Sequence, residues 1–258
     1  MTGGLMSGAG PTLELWQFAA LAVISFLGAV LGGVSGFGAG LIVTPFLVPI
    51  VGVKGVVPVM AVAMTLGNMS RAWVYRSKIE RKPILQILIA AIPGAALGTY
   101  LYDLLPRDPL AIAIGVFLLA SIPLRRILTR RKVTPTPRAI LGVSAGFGVV
   151  SGALPGGGIM LMPLLLGIGL SGGGLVGTDA VVGVLINVSK ALFLNSLGLL
   201  DVRLFLGGLL VGLCMIPGAY GARWLIDRLH VKVHTAIIEV LVAGSGISFI
   251  WSAFREMT

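Results

Sequence analysis

The sequence predicts an all-α integral membrane protein made of two inverted-topology repeats of about five apolar segments each, with short or broken helices at glycine-rich breaks. Three observations carry this expectation. Of 258 residues, 57% are hydrophobic and only 11% charged, with a mean hydropathy of +1.04, more apolar surface than a soluble domain of this size can hide. Charge-free stretches recur along the chain at close to the roughly 20 helical residues needed to cross a hydrocarbon layer about 30 Å thick. Finally, blocks from the first half return in the same order in the second, while the charge of the equivalent loops reverses.

Ten apolar segments follow one another, at 13–31, 40–53, 56–75, 83–105, 109–128, 139–154, 158–170, 175–194, 202–229 and 234–254. The first follows a stretch without positive charge, Met1 to Pro11, and is long for a signal-peptide core, so it reads as a membrane helix. Segments 40–53, 139–154 and 158–170 are short. At about 1.5 Å of rise per residue such pieces begin inside the membrane or turn back before crossing it. The remaining segments approach or exceed the spanning length. Residues 1–128 form the first repeat, 129–138 a basic cytoplasmic linker, and 139–258 the second, inverted repeat.

The repeat is legible block by block. Ile92-Pro93-Gly94-Ala95, with Leu101 and Asp103 following, returns as Ile216-Pro217-Gly218-Ala219 with Leu225 and Asp227. Asn68-Met69-Ser70-Arg71-Ala72 returns as Asn187-Val188-Ser189-Lys190-Ala191, and the run from Gly40 to Pro45 as Gly158 to Pro163. Ser35-Gly36 matches Ser151-Gly152.

Loop charge orients the halves. Arg76, Lys78, Arg81 and Lys82 follow the third segment, whereas the equivalent loop around Asn195 to Asp201 has no cation. The loop after the fourth segment holds a single Arg107, whereas Arg228 stands at the end of the ninth and Lys232 just beyond it. With the basic linker inside, the positive-inside rule puts both termini outside and inverts the second half. The excess of 19 Lys and Arg over 9 Asp and Glu therefore reads as topology, and no nucleic-acid partner is expected.

Two glycine-rich breaks, Gly32 to Gly40 and Gly146 to Gly158, each open a short segment. Bare backbone at membrane depth is tolerated only where protein or a wet cavity satisfies it. A helix starting there offers free N–H groups and a positive dipole end to an anion, although glycines also serve close helix packing. Neither run continues into Gly-Lys-Ser/Thr, so a phosphate-binding P-loop is excluded. Arg71 and Lys190 stand at equivalent positions, three residues after Asn68 and Asn187. A matched pair of intramembrane cations points to an anion pathway, while the alternative for Arg71, with Trp73 and Tyr75 beyond it, is an interfacial anchor. The two asparagines can serve a ligand or bond between helices. Asp179 has no repeat counterpart; it can cap its helix, pair with Lys190, or carry a coupling proton. Catalysis is not expected, because Ser25, Ser121 and the glycine-rich serines have no His or Asp at triad spacing. The lone Cys214 and the two histidines, His230 and His234, build no metal or cofactor site.

The pattern Gly-x-x-Ser-Gly-Phe-Gly-Ala-Gly-x-x-x-x-Pro in the first half, and Ser-Gly-x-x-Pro-Gly-Gly-Gly followed by a Pro and then Gly177-Thr178 in the second, resembles the sulfite exporter TauE/SafE family over roughly residues 15 to 253. The first half departs from the fuller Gly-Gly-Gly form, with Gly38-Ala39-Gly40 in its place. The resemblance implies a transporter of the bacterial or archaeal inner membrane that exports sulfite or an organosulfonate such as sulfoacetate. A compact sulfur oxyanion suits facing helix N-termini, small hydroxyls and one or two cations. The expected binding set is Ser35, Gly36, Gly38, Gly40, Thr44, Asn68 and Arg71 from the first half. From the second it is Ser151, Gly152, Gly156, Gly157, Gly158, Thr178, Asn187 and Lys190, with Asp179 as a coupling or structural acid. An anion channel of the same architecture, or a transporter of another small sulfur-containing or carboxylate anion, remains the alternative.

Overall fold

The computed structural model describes residues 15–35, 38–130, 135–226, 240, 242–244, 246–247 and 249–251. Among them every regular element is helical. The helices are α1 Leu15–Ser35, α2 Gly38–Val74, α3 Arg81–Leu104, α4 Arg107–Arg130, α5 Pro137–Ala153, α6 Gly158–Gly167, α7 Gly172–Ser196 and α8 Val202–Ile226, with a 3₁₀ turn at Arg76–Lys78. Stretches Ala39–Val74, Arg81–Leu104, Gly172–Ser196 and Val202–Ala222 are long and apolar enough to cross a membrane. Most of the tenth apolar segment, residues 131–134 of the basic linker, and Arg228 and Lys232 lie outside the described residues.

Seven of the expected segments correspond to separate helices. The second and third, 40–53 and 56–75, form the two parts of α2, which divides at Gly52, where φ of 69° and ψ of 169° leave the helix. That region of backbone space is essentially reserved for glycine, so one residue divides the helix beside the short Lys54-Gly55 gap expected between the two segments. The prolines inside α2, at 45, 49 and 58, are compatible with a membrane helix whose neighbours satisfy the freed backbone groups. The short elements fall where the sequence placed them. α6 has 10 residues, about 15 Å of rise, and α5 has 17, about 25 Å. α6 therefore cannot cross a hydrocarbon layer of about 30 Å. Thr136 starts α5 by accepting the Ala139 N–H at 3.3 Å, with Pro137 in the first helical position, where its missing N–H costs nothing.

Glycines set which helices touch. α3 lies on α5 so closely that a Cβ on Gly98 would fall 2.0 Å from the Val149 carbonyl oxygen, and one on Gly148 2.2 Å from that of Ala91. α8 lies on α1 in the same manner, with a Cβ on Gly218 falling 2.5 Å from Ala29 Cβ and 2.9 Å from the Phe26 oxygen. In lipid, where apolar side chains gain little by leaving the solvent, such small-residue seams are what hold helices together. α2 and α7 run through the middle and pack on one another, α2 also on the α1–α8 pair and α7 on the α3–α5 pair. Buried apolar clusters surround them: Ile87, Ala91, Phe147, Leu165 and Ile186 on one flank, and Leu47, Val59, Met60, Val211 and Met215 on the other. Large apolar side chains such as Ile89, Leu192 and Leu213 are turned outward, as a lipid solvent permits.

Candidate anion site

The central pair α2 and α7 meets the α5–α6 turn around a cavity of about 60 Å³. α2 contributes Met60, Met64, Asn68 and Arg71; α5 contributes Phe147 and Ser151. The turn adds Leu154, Pro155 and the Gly156-Gly157-Gly158 triplet, and Leu161 follows from α6. α7 closes the wall with Asp179, Gly183, Ile186, Asn187 and Lys190. A smaller void of about 10 Å³ shares Met64, Asn68 and Arg71 with the first and is otherwise lined by Ala29, Ala39, Gly67, Met215 and Ala219. Asn68 and Arg71 thus stand between a space beside the second-half break and one beside the first-half break.

Three charged groups sit in this wall, all deeply buried: Arg71 is 6% exposed, Asp179 4% and Lys190 2%. Arg71 donates from Nη2 to the Asp179 carboxylate and from Nη1 to Asn68 Oδ1 at 3.2 Å. Asn68 and Arg71 reach each other because residues three apart share a helix face. Asn68 also needs Gly183 opposite, where a Cβ would fall 2.6 Å from its Nδ2. Lys190 donates from Nζ to the Ser151 carbonyl oxygen at 2.6 Å. That oxygen belongs to the last turn of α5, whose final carbonyls have no partner further along the helix, so the ammonium satisfies one of them and meets the negative end of the helix dipole.

The glycine triplet brings α6 to this place. Gly156 has φ +88° and lies against Leu41, whose Cδ2 a Cβ would approach to 2.1 Å. A Cβ on Gly157 would fall 2.0 Å from Ser151 Oγ. The first bonds at the start of α6 are Ile159 N–H to Gly156 O at 3.4 Å and Met160 N–H to Gly157 O at 3.0 Å. The amides of Gly156, Gly157 and Gly158 therefore lie ahead of the helical ladder, at its positive end.

Among the expected binding residues, Asn68, Arg71, Ser151, Gly156, Gly157, Gly158, Asn187 and Lys190 line the cavity, and Asp179 lines it with them. Asn187 spends its amide on the Gly183 carbonyl of its own helix, at 2.8 Å. Gly40 sits beside the triplet, a Cβ there falling 3.5 Å from Gly156 N. Of the other expected residues, Thr44, Thr178 and Gly152 stand away from the wall. Thr44 donates to the Gly40 carbonyl of its own helix at 2.6 Å. Thr178 accepts the Glu80 N–H at 3.1 Å, tying α7 to the start of α3. Gly152 packs on α3, where a Cβ would fall 2.2 Å from the Ala95 oxygen. Gly38 is described as the first residue of α2, while Gly36 and the side chain of Ser35 lie outside the described residues. Asp179 does not cap α7: it stands two turns inside the helix, facing Arg71. Met60, Met64 and Ile186, which also line the wall, were not singled out from the sequence, because apolar lining and apolar core share one composition.

A family model described as Sulfite exporter TauE/SafE matches residues 21–249. Neither a curated protein nor a solved structure matches the chain.

Proposed function

Because the chain belongs to the sulfite exporter TauE/SafE family, and is thus a multi-pass membrane transport protein, we propose that it exports sulfite or an organosulfonate such as sulfoacetate by alternating access. The anion binds between two inverted repeats, in the cavity that holds Arg71 and Lys190. One observation carries this reading: two buried cations, matched in sequence between the halves, face the same cavity beside a glycine-rich helix start. A cation inside a membrane is costly and is retained where it faces a cavity or a partner.

The inverted-repeat arrangement is supported by exchanged packing. The first helix of each half lies on the Ile-Pro-Gly-Ala helix of the other, α1 on α8 and α5 on α3. Such a cross-braced pair can rock about α2 and α7 and expose the cavity to either side in turn. In a bacterial or archaeal inner membrane with both termini outside, outward movement of one negative charge is favoured by about 2.3 kcal/mol per 100 mV of inside-negative potential. Export then needs no coupling ion.

The test is counterflow of labelled sulfite into proteoliposomes carrying the full chain. The reading expects saturable counterflow that falls roughly tenfold or more in Lys190→Gln, the loss of one charge-assisted contact. Unsaturable flux with single-channel current would instead support a channel, and normal counterflow in both Lys190→Gln and Arg71→Gln would remove the cations from the site.

A further inference from the structure

The charges in the cavity differ in how they are already compensated. Arg71, Asp179 and Lys190 are its charged lining residues. Arg71 and Asp179 form an ion pair, which is closed within the protein. Lys190 donates to a neutral acceptor, the Ser151 carbonyl. With Lys190 protonated, the cavity holds one positive charge that no side chain among the described residues of its wall cancels. Its volume of about 60 Å³ takes only about four water-sized groups at roughly 15 Å³ each.

We propose that this cavity selects a compact anion carrying a single negative charge, seated against Lys190, Ser151 and the Gly156–Gly158 turn, with Asp179 as the built-in counter-ion that cancels Arg71. The proposal rests on the reading of this cavity as the anion site and adds the valence of its ligand. A monoanion brings the buried charges to balance. A dianion of the same size leaves one negative charge unpaired in a site walled by Met60, Phe147 and Ile186, and an unpaired buried charge is strongly disfavoured. Asp179 thereby sets specificity without touching the ligand. Among sulfur oxyanions the site favours hydrogensulfite over the sulfite dianion. Among sulfonates it favours those whose only charge is the sulfonate; sulfoacetate, longer and carrying a carboxylate as well, ranks below them.

Methanesulfonate and sulfate separate charge from shape, because both are tetrahedral at sulfur with five heavy atoms and differ by one charge. Binding is read as the ligand-dependent rise in melting temperature of the purified full chain in detergent, converted to relative affinity by mass action. The wild-type protein is expected to bind methanesulfonate at least about tenfold more tightly than sulfate. Asp179→Asn, which adds one net positive charge, is expected to reverse or abolish that preference. Arg71→Gln combined with Asp179→Asn removes the pair while conserving net charge. This double variant is expected to keep the preference for methanesulfonate whatever its absolute affinity, and it decides the matter if the single variant does not fold. Equal or tighter binding of sulfate by the wild type, binding of neither anion, or a double variant that prefers sulfate overturns the proposal. Failure of sulfite counterflow in proteoliposomes, with the binding preference intact, would overturn the transport reading and leave the valence assignment standing.

Discussion

Asp179 makes the two matched cations unequal. It has no counterpart in the first half, and it pairs with Arg71 while Lys190 holds a backbone carbonyl. Removing one member of a buried pair strands the other, at a cost of roughly 3–5 kcal/mol. Arg71→Gln alone should therefore lower the melting temperature markedly, and adding Asp179→Asn should recover most of the loss; a double variant less stable than either single one would contradict the pairing. Gly156 is a second sensitive residue. Alanine there must adopt φ +88° and meet Leu41 Cδ2 at 2.1 Å, so the turn has to move. Gly146→Ala is the control from the same glycine run, since its Cβ would meet only Met160 Cε, at 3.6 Å. Counterflow should be lost in Gly156→Ala and kept in Gly146→Ala. The sequence showed the matched cations and both glycine runs. It did not show that Asp179 reaches Arg71, because that contact joins α2 to α7 across more than a hundred residues, and helix spacing relates an acid only to neighbours on its own helix.

At the level of elements, glycine serves two purposes that composition alone does not separate. Gly98 and Gly148 make the α3–α5 seam, whereas Gly52 breaks α2 and Gly156 turns the chain into α6. A Cβ on Gly98 would fall 2.0 Å from the backbone oxygen of Val149, whereas one on Gly142, elsewhere on α5, meets nothing within 4 Å. Gly98→Ala should cost roughly 1–3 kcal/mol by forcing the helices apart, and Gly142→Ala should be neutral or gain roughly 0.5–1 kcal/mol, both measured by thermal unfolding in detergent. The short segments were legible from their lengths. The division of α2 was legible too, but it was expected at Lys54-Gly55 and falls at Gly52, since a one-residue break carries no cluster of turn-forming residues to fix its position. Lys54, just beyond that break, donates to the carbonyls of Tyr102 at 3.4 Å and Asp103 at 3.2 Å, while the Tyr102 hydroxyl donates back to the Lys54 oxygen. This latch closes the end of α3 in the manner of a cationic helix C-cap, and it too lies beyond reach of local pattern.

For the whole molecule, exchange is the organising feature: each half lends its first helix to the Ile-Pro-Gly-Ala helix of the other, and the cavity lies where the central helices of the two halves meet. Composition was enough to assign the membrane as solvent, and the repeated blocks with opposite loop charge were enough to expect opposed halves. Alternating access at one central site is proposed on that opposition, because halves of inverted topology present the same site to either side by equivalent motions. Counting on from the match of Asn68 with Asn187 pairs Ser77 with Ser196, and both serines are exposed, beyond and at the ends of α2 and α7. In a Cys214→Ser background, single cysteines at these two positions can be labelled in intact cells with a membrane-impermeant thiol reagent. Reaction at Ser196→Cys from outside, with Ser77→Cys reacting only after the membrane is opened, is the predicted result; labelling of both from the same side would contradict the account.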